Sequence, residues 1–252
     1  MMSGDRGFLP YSRHDLDDDD IAAILPVLRG DWLTTGPMVE AFENALCRHT
    51  KSRFAVACGS GTAGLHLAAL ALGLQPGDRV VVPAVTFLAT ANAFRHVGAE
   101  IIFADTDPDT GLMTPQSAGA AMARARKNPI KVIANVHLAG NVADPIAIGE
   151  IAAAHRASIV EDAAHAIGST YQAEVGTAAP VGDCRYSKMA VFSFHPVKTI
   201  TTGEGGGITL NDPALHRRLS QLRSHGTIRE KSLWENRTLA FDRLGKPNPW
   251  YY

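Results

Sequence analysis

Four short runs of this sequence carry side chains whose types and spacing suit chemistry. The most pointed is Phe192-Ser193-Phe194-His195-Pro196-Val197-Lys198, which leads into Gly203-Glu204-Gly205-Gly206-Gly207. An apolar strand pattern delivers a serine, a histidine and a lysine into a loop. A lysine just past a buried strand is open to desolvation, which lowers its pKa from about 10.4 and frees a neutral amine for Schiff-base chemistry. A lone loop lysine is more often a plain surface charge, so this run does not decide the matter by itself. The glycines do not make a Walker-type phosphate loop, because no Lys-Ser or Lys-Thr follows them at the required spacing.

The second run is Ile159-Val160-Glu161-Asp162-Ala163-Ala164-His165. A carboxylate closes a buried strand and an imidazole follows three residues later. Asp162 suits the nitrogen of a pyridine ring, whose protonated form accepts electrons; it equally suits a helix N-cap. The third run, Gly59-Ser60-Gly61-Thr62-Ala63-Gly64, separates a strand from a helix. Free N–H groups and the helix dipole make such a turn an anion site, with the Ser60 and Thr62 hydroxyls in reach. Gly59, Gly61 and Gly64 also match the dinucleotide pattern G-x-G-x-x-G. That pattern wants an acid at the end of the next strand, and Val81-Val82-Pro83-Ala84 has none. Fourth, Phe87 follows Pro83-Ala84-Val85-Thr86, where an aromatic can stack on a planar ring or simply join the core. In their order along the chain, the four runs supply every contact that one pyridoxal phosphate (PLP) needs.

Such residues require a scaffold that brings strand ends together. Strands are expected at 54–57, 79–82, 101–104, 131–136, 158–161, 169–175, 191–194 and 206–210. Helices are expected at 21–29, 62–72, 87–97, 116–126, 145–155 and 214–224. The strands carry near-continuous Val, Ile and Ala, as strands buried on both faces do. Alternation with helices predicts an α/β fold, a mostly parallel sheet flanked by helices, with ligands at the carboxyl ends of the strands.

Composition narrows the field. Apolar residues make up 46% and charged residues 19% of 252 residues, ordinary for a soluble domain with a sizeable core. The formal net charge of −1 gives no basic surplus for nucleic acid. Arg217, Arg218, Arg223 and Arg229 cluster, and read as a solvated helix face. No apolar run is long enough to span a bilayer, and the acidic start lacks the order of a secretory signal. Cys47, Cys58 and Cys184 fit neither a disulfide framework nor a metal pattern, which points to a reducing cytoplasm.

Together these runs resemble the sugar aminotransferases of PLP fold type I, the DegT/DnrJ/StrS family. The resemblance runs from about residue 11 to the end. It is carried by Trp32-Leu33-Thr34-Thr35-Gly36-Pro37, Ser60-Gly61-Thr62-Ala63, the segment 83–92, Val136-His137-Leu138-Ala139-Gly140, Glu161-Asp162-Ala163-Ala164-His165-Ala166, the segment 192–207, and Arg223-Ser224-His225-Gly226. Its most specific part is Ser-Phe-His-x-x-Lys followed by Thr-x-Gly-Glu-Gly-Gly. The segment 191–206, the run 31–37 and the closing Pro249-Trp250-Tyr251-Tyr252 are most similar to the branch that serves pseudaminic acid synthesis.

The resemblance implies roles. Lys198 would carry PLP and move the proton between substrate and cofactor. Asp162 would hold the pyridine nitrogen, His165 would sit against the ring, and Phe87 would stack on it. Gly61, Thr62, Ala63 and Ser193 would bind the phosphate, and His195 would shape the pocket beside Lys198. Tyr11, Asp31, Trp32, Leu33 and Thr34 would line the sugar-nucleotide pocket. L-Glutamate would donate the amine to the 4-keto carbon of a UDP-linked 4-keto-6-deoxy N-acetylhexosamine, in a homodimer. A bacillosamine or perosamine type of relative stays open. Sugar dehydratases of the family carry histidine in place of the lysine, so Lys198 favours an aminotransferase. By this resemblance, residues 1–37 form an arm and helix at the substrate pocket, and 38–252 a large PLP-binding domain. The family continues into a smaller C-terminal domain, expected to be missing here, which leaves a truncated non-catalytic PLP-binding chain as a further alternative.

Overall fold

The structure, a computed structural model, describes residues 9–124, 128–174, 176–228 and 230–251. Along the chain run α1 (Asp18–Arg29), α2 (Pro37–Thr50), β1 (Phe54–Cys58), α3 (Gly61–Ala71), β2 (Arg79–Pro83), α4 (Leu88–Arg95), β3 (Glu100–Ala104), α5 (Pro115–Ala123) and β4 (Ile130–Val136). There follow α6 (Pro145–Ala154), β5 (Ser158–Asp162), β6 (Thr170–Glu174), β7 (Thr177–Pro180), β8 (Met189–Ser193), β9 (Gly206–Leu210), α7 (Pro213–Arg223) and the short α8 (Arg237–Ala240).

Local chemistry sets the helix starts. Asp17 and Asp20 close a reciprocal capping box on α1, and Thr114 with Ser117 closes another on α5. Asp144 and Asp212 cap α6 and α7, each followed by a proline in the first turn, where its missing N–H costs nothing.

Seven strands form one sheet in the order β1-β9-β8-β5-β4-β2-β3. Neighbours from β8 to β3 pair in parallel, whereas β9 runs antiparallel to both β1 and β8. Two antiparallel steps restore the direction, so β1 points the same way as β8, β5, β4 and β2. Their carboxyl ends therefore share one edge of the sheet. Side chains alternate between two cores. Val132, Ala134, Val160 and Val191 face Leu65, Ala68, Phe94 and Leu219 of α3, α4 and α7. Ile133 and Ile159 face Ala118, Met122, Ile148 and Ala152 of α5 and α6. On that same side, Ala190 and Phe192 pack with Leu46 of α2.

The expected strands form, and the structure departs from the expectations elsewhere. The strand expected at 169–175 does form as β6, but it leaves the sheet and pairs only with β7 as a separate hairpin; Val175 lies outside the described residues. The expected parallel sheet includes the reversed β9. Helix α2 is additional to the helices expected. The helix expected at 116–126 ends at Ala123, with 125 and 126 outside the described residues. Arg223 is not a solvated charge: it pairs with Glu43 at 2.6 Å, and the same carboxylate oxygen accepts the Ala57 N–H at 2.8 Å, tying α7, α2 and β1 together. Arg229 lies outside the described residues. No helix among the described residues is long and apolar enough to cross a membrane.

Phe94 is fully buried in the larger core. Phe94→Ala is expected to lower the unfolding free energy by about 3–5 kcal/mol, transfer and cavity costs together, as read from urea denaturation followed by circular dichroism.

Candidate active site

A cavity of about 660 Å³ opens along the shared edge of carboxyl ends. Most wall residues arrive from the carboxyl end of a strand or just beyond it. Ser60, Gly61 and Thr62 follow β1, and Val85, Thr86 and Phe87 follow β2. His137 and Leu138 follow β4, and Asp162 ends β5 with Ala164 and His165 after it. Ser193 ends β8, with His195, Val197 and Lys198 in the next loop. Tyr11 enters from the N-terminal arm, which also touches this loop through the Ser12 hydroxyl donating to the Val197 carbonyl at 3.4 Å.

The loop carrying Lys198 is closed at its base around one residue. Phe194 donates its N–H to Gly205 and accepts at its carbonyl from the Thr202 N–H and the Thr201 hydroxyl. The Lys198 N–H returns to the His195 carbonyl at 2.9 Å. The glycine-rich run serves this closure. Gly203 takes φ +77°, and a Cβ on Gly206 would lie 2.4 Å from the Ser60 carbonyl oxygen. The glycines thus let β9 abut the anion turn; they are not themselves a phosphate loop. Burial pulls the half-buried Lys198 amine below its ordinary pKa, and the charge of Asp162 opposes that.

Asp162 is 7% exposed. Its Oδ2 accepts from the buried Thr90 hydroxyl at 2.5 Å, and its Oδ1 accepts the Ala164 N–H at 3.3 Å. Two donors hold the carboxylate in one orientation with charge-assisted bonds. His165 accepts the Ala139 N–H at Nδ1, 3.2 Å away. Burial and the Lys198 charge depress its pKa, with Asp162 opposing.

The anion turn is α3's start. The Ser60 hydroxyl caps it by accepting the Ala63 N–H at 3.1 Å, while the Gly64 N–H bonds the Ser60 carbonyl. That leaves the first-turn N–H groups of Gly61 and Thr62, with the Thr62 hydroxyl, for an anion.

The structure gathers Tyr11, Gly61, Thr62, Phe87, Asp162, His165, Ser193, His195 and Lys198 on one cavity. Ala63 is not on its wall, and its N–H is engaged by the Ser60 hydroxyl. Asp31, Trp32, Leu33 and Thr34 are not on it either; all four are exposed, Trp32 by 63%. Sequence reasoning missed Thr90, whose hydroxyl meets Asp162 only through the packing of α4 on the sheet, and His137, buried beside the cavity. Their one signal was position: Thr90 lies three residues after Phe87, on the first turn of the helix, and His137 immediately follows a buried strand.

The donor set fits PLP. An oriented buried carboxylate, a lysine of lowered pKa, a helix start with free N–H groups and the open face of Phe87, 65% exposed, surround one cavity. The sheet and this disposition of lysine and aspartate define the large domain of a fold type I PLP enzyme. The model of the DegT/DnrJ/EryC1/StrS aminotransferase family matches residues 14–245. A Streptococcus pneumoniae protein assigned as a sugar aminotransferase, solved in its PLP form, is 32% identical, with a TM-score of 0.78 over 90% of this chain and 60% of its own. Helicobacter pylori PseC, an aminotransferase involved in the biosynthesis of pseudaminic acid, is 29% identical, with a TM-score of 0.78 over 89% of this chain and 58% of its own. S. venezuelae DesV is 31% identical, with a TM-score of 0.77 over 87% and 59%. The chain belongs to the DegT/DnrJ/EryC1/StrS aminotransferase family, and it spans about three fifths of the length of these relatives.

Two outcomes are expected. Peptide-resolved acylation of Lys198 in the ligand-free chain should show a pH midpoint below the ordinary 10.5, displaced further down in Asp162→Asn, where the opposing charge is gone. Gly206→Ala should push on the Ser60 backbone and weaken PLP binding by about tenfold, roughly 1.4 kcal/mol, as read by cofactor titration.

Proposed function

We propose that this chain is the PLP-binding part of an aminotransferase that moves an amino group from L-glutamate to the 4-keto carbon of a UDP-linked 4-keto-6-deoxy N-acetylhexosamine, as UDP-4-amino-4,6-dideoxy-N-acetyl-β-L-altrosamine transaminase does in pseudaminic acid synthesis. The observation that carries the reaction class is that Lys198 and Asp162 line one cavity, where the charge of Asp162 opposes the lowering of the Lys198 pKa by burial. The motif runs at 31–37 and 191–206, and the likeness to PseC, support the pathway.

PLP supplies an electron sink for a carbanion next to nitrogen. The chain's own residues do the rest. Asp162 keeps a proton on a ring nitrogen, its own orientation held by Thr90 and Ala164. Phe87 gives the ring an apolar face. Gly61, Thr62 and Ser193 bind the phosphate. Lys198 would anchor the cofactor, and its amine, its pKa lowered by burial, would take and return the substrate proton. Tyr11 borders the opening through which the sugar nucleotide enters, with Asp31–Thr34 acting further out. His195 shapes the wall beside Lys198. The working unit is a homodimer in the cytoplasm.

The test is a visible spectrum of the purified chain with PLP, beside Lys198→Ala. A bound-cofactor band that changes on addition of L-glutamate, and is absent in the variant, supports the assignment. An unchanged band in Lys198→Ala overturns the role of the lysine; a band inert to glutamate favours a non-catalytic PLP-binding chain. With the longer protein, amination of a UDP-linked 4-keto sugar in preference to a TDP-linked one is the expected specificity, and the reverse preference overturns it.

A further inference from the structure

His137, at the cavity wall, and Glu161 behind it face each other, Nε2 to Oε2 at 3.0 Å, with side-chain exposures of 0% and 7%. His137 lies just past the end of β4 and Glu161 in the adjoining β5. The other ring nitrogen of His137, Nδ1, accepts the Ala143 N–H at 3.2 Å. An amide N–H only donates, so Nδ1 carries no proton, and the proton sits on Nε2 and points to Glu161. The ring therefore closes the 138–142 loop at its base, and the Asn135 side chain clamps the same residue by donating to the Ala143 carbonyl at 3.2 Å.

The loop held this way ends on the cavity. Ala139 sits in it at φ 54°, ψ 23°, a conformation an alanine adopts only when its surroundings impose it. The Ser169 hydroxyl donates to the Gly140 carbonyl at 2.9 Å and steadies the turn from the other side. In that conformation the Ala139 N–H donates to His165 Nδ1. The same reasoning applies to this ring: its proton sits on Nε2, the nitrogen left for the cavity.

We propose that the buried His137–Glu161 pair is a positioning device: by pinning the 138–142 loop it keeps the Ala139 N–H on His165, and so presents His165 to the cavity as a neutral Nε2–H donor. The charges that face His165 are Lys198 and Asp162, and burial together with Lys198 outweighs Asp162 in keeping the ring neutral. A neutral donor suits an anionic oxygen on an aromatic ring, because it gives a hydrogen bond without adding a second cation beside Lys198. Only the identity of that acceptor rests on the PLP reading. The tautomer belongs to the chain alone.

The experiment is nitrogen NMR of the ligand-free chain labelled at histidine imidazoles, with His165→Asn used to assign the signals. His165 is expected as the Nε2–H form from pH 7.5 to 9, by an excess of about tenfold, the scale of one net hydrogen bond. In His137→Phe that excess should fall to the few-fold ratio of a free imidazole. Glu161→Gln should keep the native pattern, since its amide oxygen still accepts from His137. A protonated Nδ1 or an evenly mixed tautomer in the native chain overturns the proposal. So does an unchanged His165 in folded His137→Phe, or, where that variant does not fold, in His137→Gln, which lacks the Nδ1 acceptor. Because no cofactor is present, failure of PLP to bind would leave this inference standing, and a mixed tautomer in a PLP-binding chain would sink this inference alone.

Discussion

Asp162 is a carboxylate at the end of a strand whose three preceding residues are buried, in a layer with little water to solvate it. Burying such a charge is costly unless donors meet it. Here the donors are the Thr90 hydroxyl and the Ala164 N–H, and the lysine amine shares the cavity. Much of the surrounding architecture follows from this requirement. Helix α4 must pack so that Thr90 reaches across to β5. The chain after β5 must turn at once so that its own amide can point back. The loop after β8 must return over the same edge to bring Lys198 into range. Moving α4 or the turn after β5 by a residue would leave the carboxylate short of a donor.

The electrostatics of the cavity is a balance between desolvation and pairing. Burial alone lowers the pKa of both Lys198 and His165, and Asp162 raises both. The carboxylate therefore holds the lysine amine closer to its ordinary pKa, while burial and the lysine charge favour the uncharged imidazole. The His137–Glu161 pair adds a second carboxylate one residue away, on the opposite face of the same strand. It does so without a free charge facing the cavity, because its acceptor oxygen is turned to the imidazole. Polar groups are thus stacked two deep at the end of β5, each with a named partner.

The glycine-rich segment shows how packing and chemistry share residues. Its spacing excludes a Walker-type phosphate loop. In three dimensions its role is to let β9 lie against the Ser60 carbonyl, which brings the anion turn after β1 next to Ser193 and the lysine loop after β8. The reversed strand β9 is the spacer that keeps these two catalytic edges one strand apart and aligned.

Sequence alone determined the chemical inventory and the layer architecture. Strands rich in Val, Ile and Ala, separated by helical periods, admit few arrangements other than a sheet covered on both faces, and the residues just past their ends were therefore legible as one site. Lys198, Asp162, His165, Phe87, Gly61, Thr62 and Ser193 do meet there. Tertiary structure alone decided what side chains do across long separations. Helix α2 was overlooked although Val39, Phe42 and Leu46 follow a helical period behind Pro37, because its polar face dilutes the signal. The departure of β6 and β7 into their own hairpin depends on pairing, which a strand's own residues do not encode. Ala63 was read as an anion donor because a sequence does not show that the Ser60 hydroxyl takes its N–H first. Thr90 on Asp162, 72 residues apart, and Ala139 on His165 are hydrogen bonds between segments that meet only once the sheet is assembled. Hydrophobic pattern is local and survives in one dimension; the direction of a hydrogen bond is set by two backbones at once, and exists only in the fold.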